Sequence, residues 1–296
     1  MLSDSRRNVT DAWASWVGLF TVCLLAASTA ADAAVVEDVF EVPVTVRTIY
    51  DQVSTQNIQV TSWRDDSREK APFLLLNHGR PASAANFAKM GRQRYAENSR
   101  YFVSLGFVVL IPTRVGYGPS GGQDVEYSGS CQGKIYEPVF RAAATQTLAV
   151  LDHAKTLSYV DVSRGVVVGQ SFGGATAVAI AAMNPPGVVA AVNFAGGSGG
   201  DPDNRPENPC RPDLLQKVFA AYGKTAKVPM LWFYSENDRY WGKFLPSKWF
   251  DAFVSAGGQA SLVQLPRYKD DGHPSFTGNH AAWSAAFEEF LKKAGF

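Results

Sequence analysis

The sequence predicts an α/β fold, a doubly wound and mostly parallel sheet with antiparallel strands at its N-terminal edge. Three observations predict it. Continuous apolar runs of four to seven residues recur along the chain, as expected of strands buried on both faces. Helical stretches separate those runs, and strand–helix alternation over some 220 residues builds a parallel sheet with helices on both sides. Ahead of them lies a segment of strict alternation whose turn is too short to hold a crossover helix.

The elements follow in chain order. Val39, Val42, Val44 and Val46, then Ile58, Val60 and Ser62, read as two short antiparallel strands, and 65–70 as a charged turn. The buried runs are 73–76, 107–111, 165–168, 188–194, 230–234 and 260–265. The helical candidates are 84–104, 139–156, 172–183, 246–256 and 281–294. In the second of these Ala142, Leu148, Leu151 and Ala154 keep helical spacing and form one apolar face. Ligands of such sheets bind outside the carboxyl ends of the strands, so chemistry is sought in the loops that follow them.

Composition agrees with one globular domain. Of 296 residues 46% are hydrophobic, too many for a disordered chain. A net charge of +1, with basic residues grouped only in pairs such as Arg6-Arg7, speaks against nucleic-acid binding. No spacing suits a zinc or calcium site and no glycine-rich phosphate loop leads a helix, so no metal or cofactor is implied. The sequence carries no signal for oligomeric state.

The first 33 residues read differently. Arg6 and Arg7 precede an apolar run from Trp16 to Ala27, followed by small residues and Ala31-Asp32-Ala33. That order fits a secretory signal peptide cleaved after Ala33, since about 12 apolar residues fall short of the roughly 20 that span a bilayer. The expectation is residues 34–296 as one catalytic domain, secreted or periplasmic, with no stable membrane anchor. Cys23 leaves with the signal, and the two remaining thiols, Cys131 and Cys210, meet an oxidising compartment.

Gly-x-Ser-x-Gly occurs three times, around Ser120, Ser171 and Ser198. A nucleophile elbow needs a strand before the serine and a helix after it. Ser120 runs into Gly121-Gly122-Gln123-Asp124 and Ser198 into Asp201-Pro202, neither of which continues as a helix. Only Ser171 has Val166-Val167-Val168 before it and a small-residue helical stretch from Phe172 after it.

Gly169-Gln170-Ser171-Phe172-Gly173-Gly174 resembles the elbow of the α/β-hydrolase superfamily, and Asn77-His78-Gly79-Arg80-Pro81 resembles its oxyanion loop. The resemblance covers roughly 71–296 and is nearest to dienelactone-hydrolase-like and prolyl-oligopeptidase-like members. It departs from true dienelactone hydrolases, whose nucleophile is cysteine. It implies the α/β-hydrolase fold and the chain order serine, acid, histidine.

Four histidines compete for the role of base. His78 belongs to the oxyanion loop and His153 to the middle of a helix. His273 and His280 remain; His273 is preferred because Gly272 and Pro274 make its surroundings a loop. For the acid, Asp238 just past 230–234 resembles the family position, with Glu236 as the alternative. Asp270 and Asp271 are expected to be solvated. The oxyanion would be held by the amides of Phe172 and Arg80.

Residues 197–212 form an excursion rich in Gly, then Asp, Asn and Pro, and carry Cys210; Cys131 lies in the loop after 107–111. Both loops leave carboxyl ends of strands, so a Cys131–Cys210 disulfide is expected to tie two pocket walls. Tyr117, Tyr240 and Trp241 also sit in loops on this face; each is a candidate for the pocket lining, with ordinary packing as the alternative. The chain is therefore expected to be a serine hydrolase of small carboxylic esters, working through Ser171, Asp238 and His273. A prolyl-oligopeptidase-like peptidase and a non-catalytic binding protein are the alternatives.

Overall fold

A computed structural model describes residues 34–296; the expected signal peptide lies outside the described residues. Eight strands form one sheet: β1 (Val35–Arg47), β2 (Val53–Asp65), β3 (Ala71–Asn77), β4 (Val108–Thr113), β5 (Val160–Gln170), β6 (Val188–Phe194), β7 (Met230–Ser235) and β8 (Ala260–Leu265). Their order is β1-β2-β4-β3-β5-β6-β7-β8. β1 pairs antiparallel with β2, and β2 with β4; every other pairing is parallel. The fold is that of the α/β hydrolases.

The buried strands alternate between two cores, as period-two geometry requires. Phe73, Leu75, Val108, Leu110 and Val167 face one core. Leu74, Leu76, Val109, Ile111, Val166 and Val168 face the other. The first core is covered by α2 (Glu137–Ala154), α3 (Phe172–Met183), α4 (Pro212–Gly223) and α5 (Leu245–Ser255); the second by α1 (Ala96–Ser104) and α7 (Ser284–Lys293). One further turn of helix, α6 (Ser275–Gly278), precedes α7. Both faces of the sheet are covered, which is why its strands read as unbroken apolar runs rather than as alternation.

Two helical expectations need correction. The stretch 84–104 is helical only over α1 and two single turns, Ala84–Asn86 and Ala88–Met90. Gly91 has φ of 65°, and the chain then runs across the strand ends. There Gln93 donates its amide to Thr113 Oγ1 and accepts from Thr61 Oγ1, while Arg92 and Arg94 both reach Glu37. Side chains satisfy this backbone, so helix has no advantage there. The helix α4 is absent from the sequence reading. Pro212 opens it, and Leu215, Phe219 and Tyr222 carry its buried face at i, i+4 and i+7.

Candidate active site

Ser171 stands between β5 and α3 with φ 57° and ψ −123°, a conformation that costs a non-glycine residue about 1–3 kcal/mol. The surroundings enforce it. Ser171 donates its amide to Phe194 O at 2.8 Å, and its carbonyl accepts from the amides of Gly174, Ala175 and Gly197. A Cβ on Gly169 would collide with the backbone of Gly173, and one on Gly173 with the backbone of Asn77. The two glycines let strand, turn and helix close to within backbone contact.

The structure joins two of the residues singled out from the sequence directly. His273 Nδ1 lies 2.8 Å from Asp238 Oδ2, with Asp238 wholly buried and His273 nearly so. Asp238 Oδ1 accepts from the amides of Tyr240 and Trp241. A carboxylate surrounded by donors is an acceptor, so Nδ1 carries the proton and Nε2 is left with its lone pair. The ring of Tyr240 stacks on the imidazole at 3.9 Å, and Trp241 meets it edge-on at 5.6 Å. Ser171 Oγ has no hydrogen-bond partner among the described residues, so the structure leaves the serine–histidine link open.

The loops carrying acid and base are bound to each other. Asp271 is half-buried rather than solvated: Oδ1 accepts from the amides of both His273 and Arg239. Asn237 donates to the carbonyls of Tyr268 and Lys269 and accepts from the Tyr268 amide. Neither residue was singled out for this role. The Asp-Gly-His spacing, in which a carboxylate caps the amide two residues on, is the signal that could have found Asp271. Glu236, by contrast, is turned away and pairs with Lys243. His280 packs against Tyr101 and Trp283, and His153 stacks on Phe40.

The oxyanion loop follows β3. Among the described residues, the amides of Phe172 and Arg80 donate to no protein acceptor. The Arg80 guanidinium makes a two-bond pair with Asp124, donates to Tyr117 Oη and lies over the ring of Phe87 at 4.3 Å. Of the three candidate aromatics, Tyr117 takes the packing alternative. It is fully buried beneath the pocket, donating to Glu126 at 2.6 Å. Glu126 also receives Arg114, whose Nη1 donates to His78 O and whose amide donates to His78 Nε2. His78 Nδ1 donates to Gly79 O. Burial, seconded by the Arg114 charge, holds His78 well below the usual histidine range, so it is neutral.

Above the serine is a cavity of about 230 Å³, reached by Ser171, Phe172, Arg80, Tyr240 and Trp241. Its far wall is the excursion expected from the sequence. Cys131 and Cys210 are joined there, their Cα atoms 5.0 Å apart. Arg205 Nη1 lies 2.8 and 2.9 Å from the two sulfurs. Lys134 also faces the cavity; burial, then the charges of Arg80 and Arg205, hold its ammonium below the usual lysine range. Of the other serines, Ser198 lines the cavity, while Ser120 Oγ is engaged by Thr113 O and the Gln59 amide. Among the described residues no cluster has the make-up of a metal site, and no helix is long and apolar enough to cross a membrane.

Residues 90–288 match the family model of the dienelactone hydrolase family. No curated protein matches the chain in sequence. Solved structures show the same fold at low identity. A Klebsiella pneumoniae protein described as a dienelactone hydrolase is 14% identical with a TM-score of 0.54, covering 86% of this chain and 97% of that one. Est1E from Butyrivibrio proteoclasticus is 17% identical with a TM-score of 0.52, covering 86% and 98%. A Bacteroides ovatus protein described as a dipeptidyl aminopeptidase IV is 16% identical with a TM-score of 0.58 over 86% of this chain. The match spans only 36% of that longer protein.

Proposed function

The chain belongs to the dienelactone hydrolase family, and from that premise we propose that it is an exported serine hydrolase of carboxylic esters. The observation that carries this reading is the buried His273–Asp238 pair, whose bond fixes the imidazole proton on Nδ1. A neutral Nε2 in that state is a base for a serine hydroxyl, and Ser171 stands at a strained elbow with its hydroxyl uncommitted.

Ser171 Oγ attacks the ester carbonyl as His273 Nε2 takes its proton. The amides of Phe172 and Arg80 hold the oxyanion. Collapse of the tetrahedral species expels the alcohol, which leaves with the proton from His273. Water then attacks the acyl-enzyme with His273 again as base, releasing the acid and restoring Ser171. Asp238 stays ionised throughout and stabilises the imidazolium that forms.

Serine stands where true dienelactone hydrolases carry cysteine, so the attacking group here is a hydroxyl that needs the base beside it. Export is supported by the Cys131–Cys210 bond, since such bonds persist in oxidising compartments. The test is labelling with a fluorophosphonate, followed by peptide mapping and a panel of p-nitrophenyl esters and aminoacyl amides. The expected result is one adduct, on Ser171, absent from Ser171→Ala, with ester turnover well above amide turnover. An adduct elsewhere, or none, overturns the reading; amide preference makes the protein a peptidase.

A further inference from the structure

The catalytic cavity does not end at its own rim. A second depression, of about 340 Å³, lies beside it, and the two share Asp124 and Tyr127 as a common wall. Its remaining lining comes from the β1–β2 turn and the loop after β4, chiefly Tyr50, Gln52 and Gln123. Tyr50 and Tyr127 are 64% and 44% exposed, and their centroids lie 6.5 Å apart with planes 31° from parallel. Neither phenol hydroxyl, nor the side-chain amide of Gln52 or Gln123, has a hydrogen-bond partner among the described residues.

We propose that this depression is a sugar-binding subsite, and that the ester cleaved at Ser171 is carried on a saccharide. The proposal rests on the ester-hydrolase reading for its chemistry. A pyranose presents axial C–H groups on its faces and hydroxyls around its rim. The C–H groups suit the electron-rich face of an exposed tyrosine. The hydroxyls suit planar side-chain amides, each of which pairs with two neighbouring groups at once, and Gln52 and Gln123 supply two of them. An apolar occupant is disfavoured, because it would strip water from Gln52 and Gln123 and return no hydrogen bonds. The Arg80–Asp124 pair stands between the two compartments, so the sugar lies across it from the nucleophile. The site is open to solvent, so an oligosaccharide passes through it with its ends free.

The experiment compares wild type, Tyr50→Ala and Gln52→Ala on p-nitrophenyl acetate, 2-phenylethyl acetate and monoacetylated cellobiose. Tyr50 and Gln52 touch only the second depression. The expected result is kcat/KM for the cellobiose ester about tenfold above that for 2-phenylethyl acetate. Tyr50→Ala should erase that advantage through KM while leaving p-nitrophenyl acetate unchanged, and Gln52→Ala should act likewise but more weakly. Equal losses on all three esters, no loss on any, or a preference for 2-phenylethyl acetate overturns the proposal. Saturation-transfer NMR with unesterified cellobiose separates this subsite from the catalytic reading. Transfer that disappears in Tyr50→Ala upholds the sugar site even where no ester is turned over, and absence of transfer to wild type overturns it.

Discussion

Arg114 Nε and Glu126 Oε1 meet at 2.5 Å with neither side chain exposed to solvent. The pair lies directly under the oxyanion loop, because Arg114 also donates to the His78 carbonyl and Glu126 accepts from Tyr117. Burying two charges is unfavourable unless their donors and acceptors are used, and here the His78 carbonyl takes up Arg114 Nη1 and the Tyr117 hydroxyl takes up Glu126 Oε2. The geometry of Gly79 and Arg80 is thereby set from below.

Removing one partner should therefore be severe. Arg114→Met strips the buried Glu126 carboxyl of both hydrogen bonds from Arg114, and is expected to lower unfolding free energy by about 3–5 kcal/mol. Glu126→Leu should do the same from the other side. The double variant should recover much of the loss, since it removes both charges together. Urea unfolding measures all three. Single variants within about 1 kcal/mol of wild type would show that the pair does not hold the loop.

The acid–base loop gives a graded prediction. His273→Ala should reduce kcat by several orders of magnitude, and Asp238→Asn by about 10⁴, because an amide donor favours the wrong imidazole tautomer. Asp271→Ala should cost less, about tenfold, by freeing the His273 amide from the Arg239 loop. His280→Ala should leave kcat nearly unchanged. A His280 variant as inactive as His273→Ala would reverse the choice between the two histidines.

What the sequence revealed, and what it concealed, divides along local and tertiary lines. The β strands were legible because Phe73 to Leu76 and Val166 to Val168 are apolar on both faces. The Ser171 elbow was legible because strand, glycines and helix are contiguous. Asp238 and His273 were singled out by the chain order that the resemblance implies, and the structure brings their side chains together across 35 residues. The break at Gly91 was hidden, since its cause is Thr61 and Thr113 from two distant strands. The sequence left Tyr117 open between pocket and packing for the same reason: nothing local announces that Glu126 and Arg80 will draw its hydroxyl inward.

Stability should depend on pH through His78. Burial lowers its proton affinity in the folded state, whereas in the unfolded chain it titrates near its ordinary value of about 6.5. Below that pH the unfolded state binds the extra proton, so stability is full above about 6.5 and falls as pH decreases. The slope is at most about 1.4 kcal/mol per pH unit for this group. His280, also lowered by burial, acts in the same direction. Glu37, held at about 2 mainly by Arg94, adds a second loss only as pH falls below about 4.5. Melting temperatures at pH 7.5, 6.5 and 5.5 should drop for wild type and stay flatter in His78→Gln. Parallel curves would assign the slope elsewhere.

The last prediction concerns the wall that closes the cavity. The Cys131–Cys210 bond closes a loop of 79 residues, and chain entropy gives about 4.5 kcal/mol for a loop of that length. For a domain of this size that corresponds to roughly 8–9 °C in melting temperature. The bond also bears on the site. Cys210 donates its amide to Gly199 O, and Tyr136 donates to the carbonyls of both Cys210 and Ser198. The strip 197–200 beside Ser171 is thus braced by the disulfide, while the strands that carry Ser171 and Asp238 are independent of it. Replacing both cysteines by serine, or reducing the bond, should therefore lower the melting temperature and raise KM several-fold with a smaller change in kcat. A fall in kcat at constant KM would mean that the brace acts on the nucleophile rather than on the wall. Two alkylatable thiols in the unreduced protein would mean that the brace is absent.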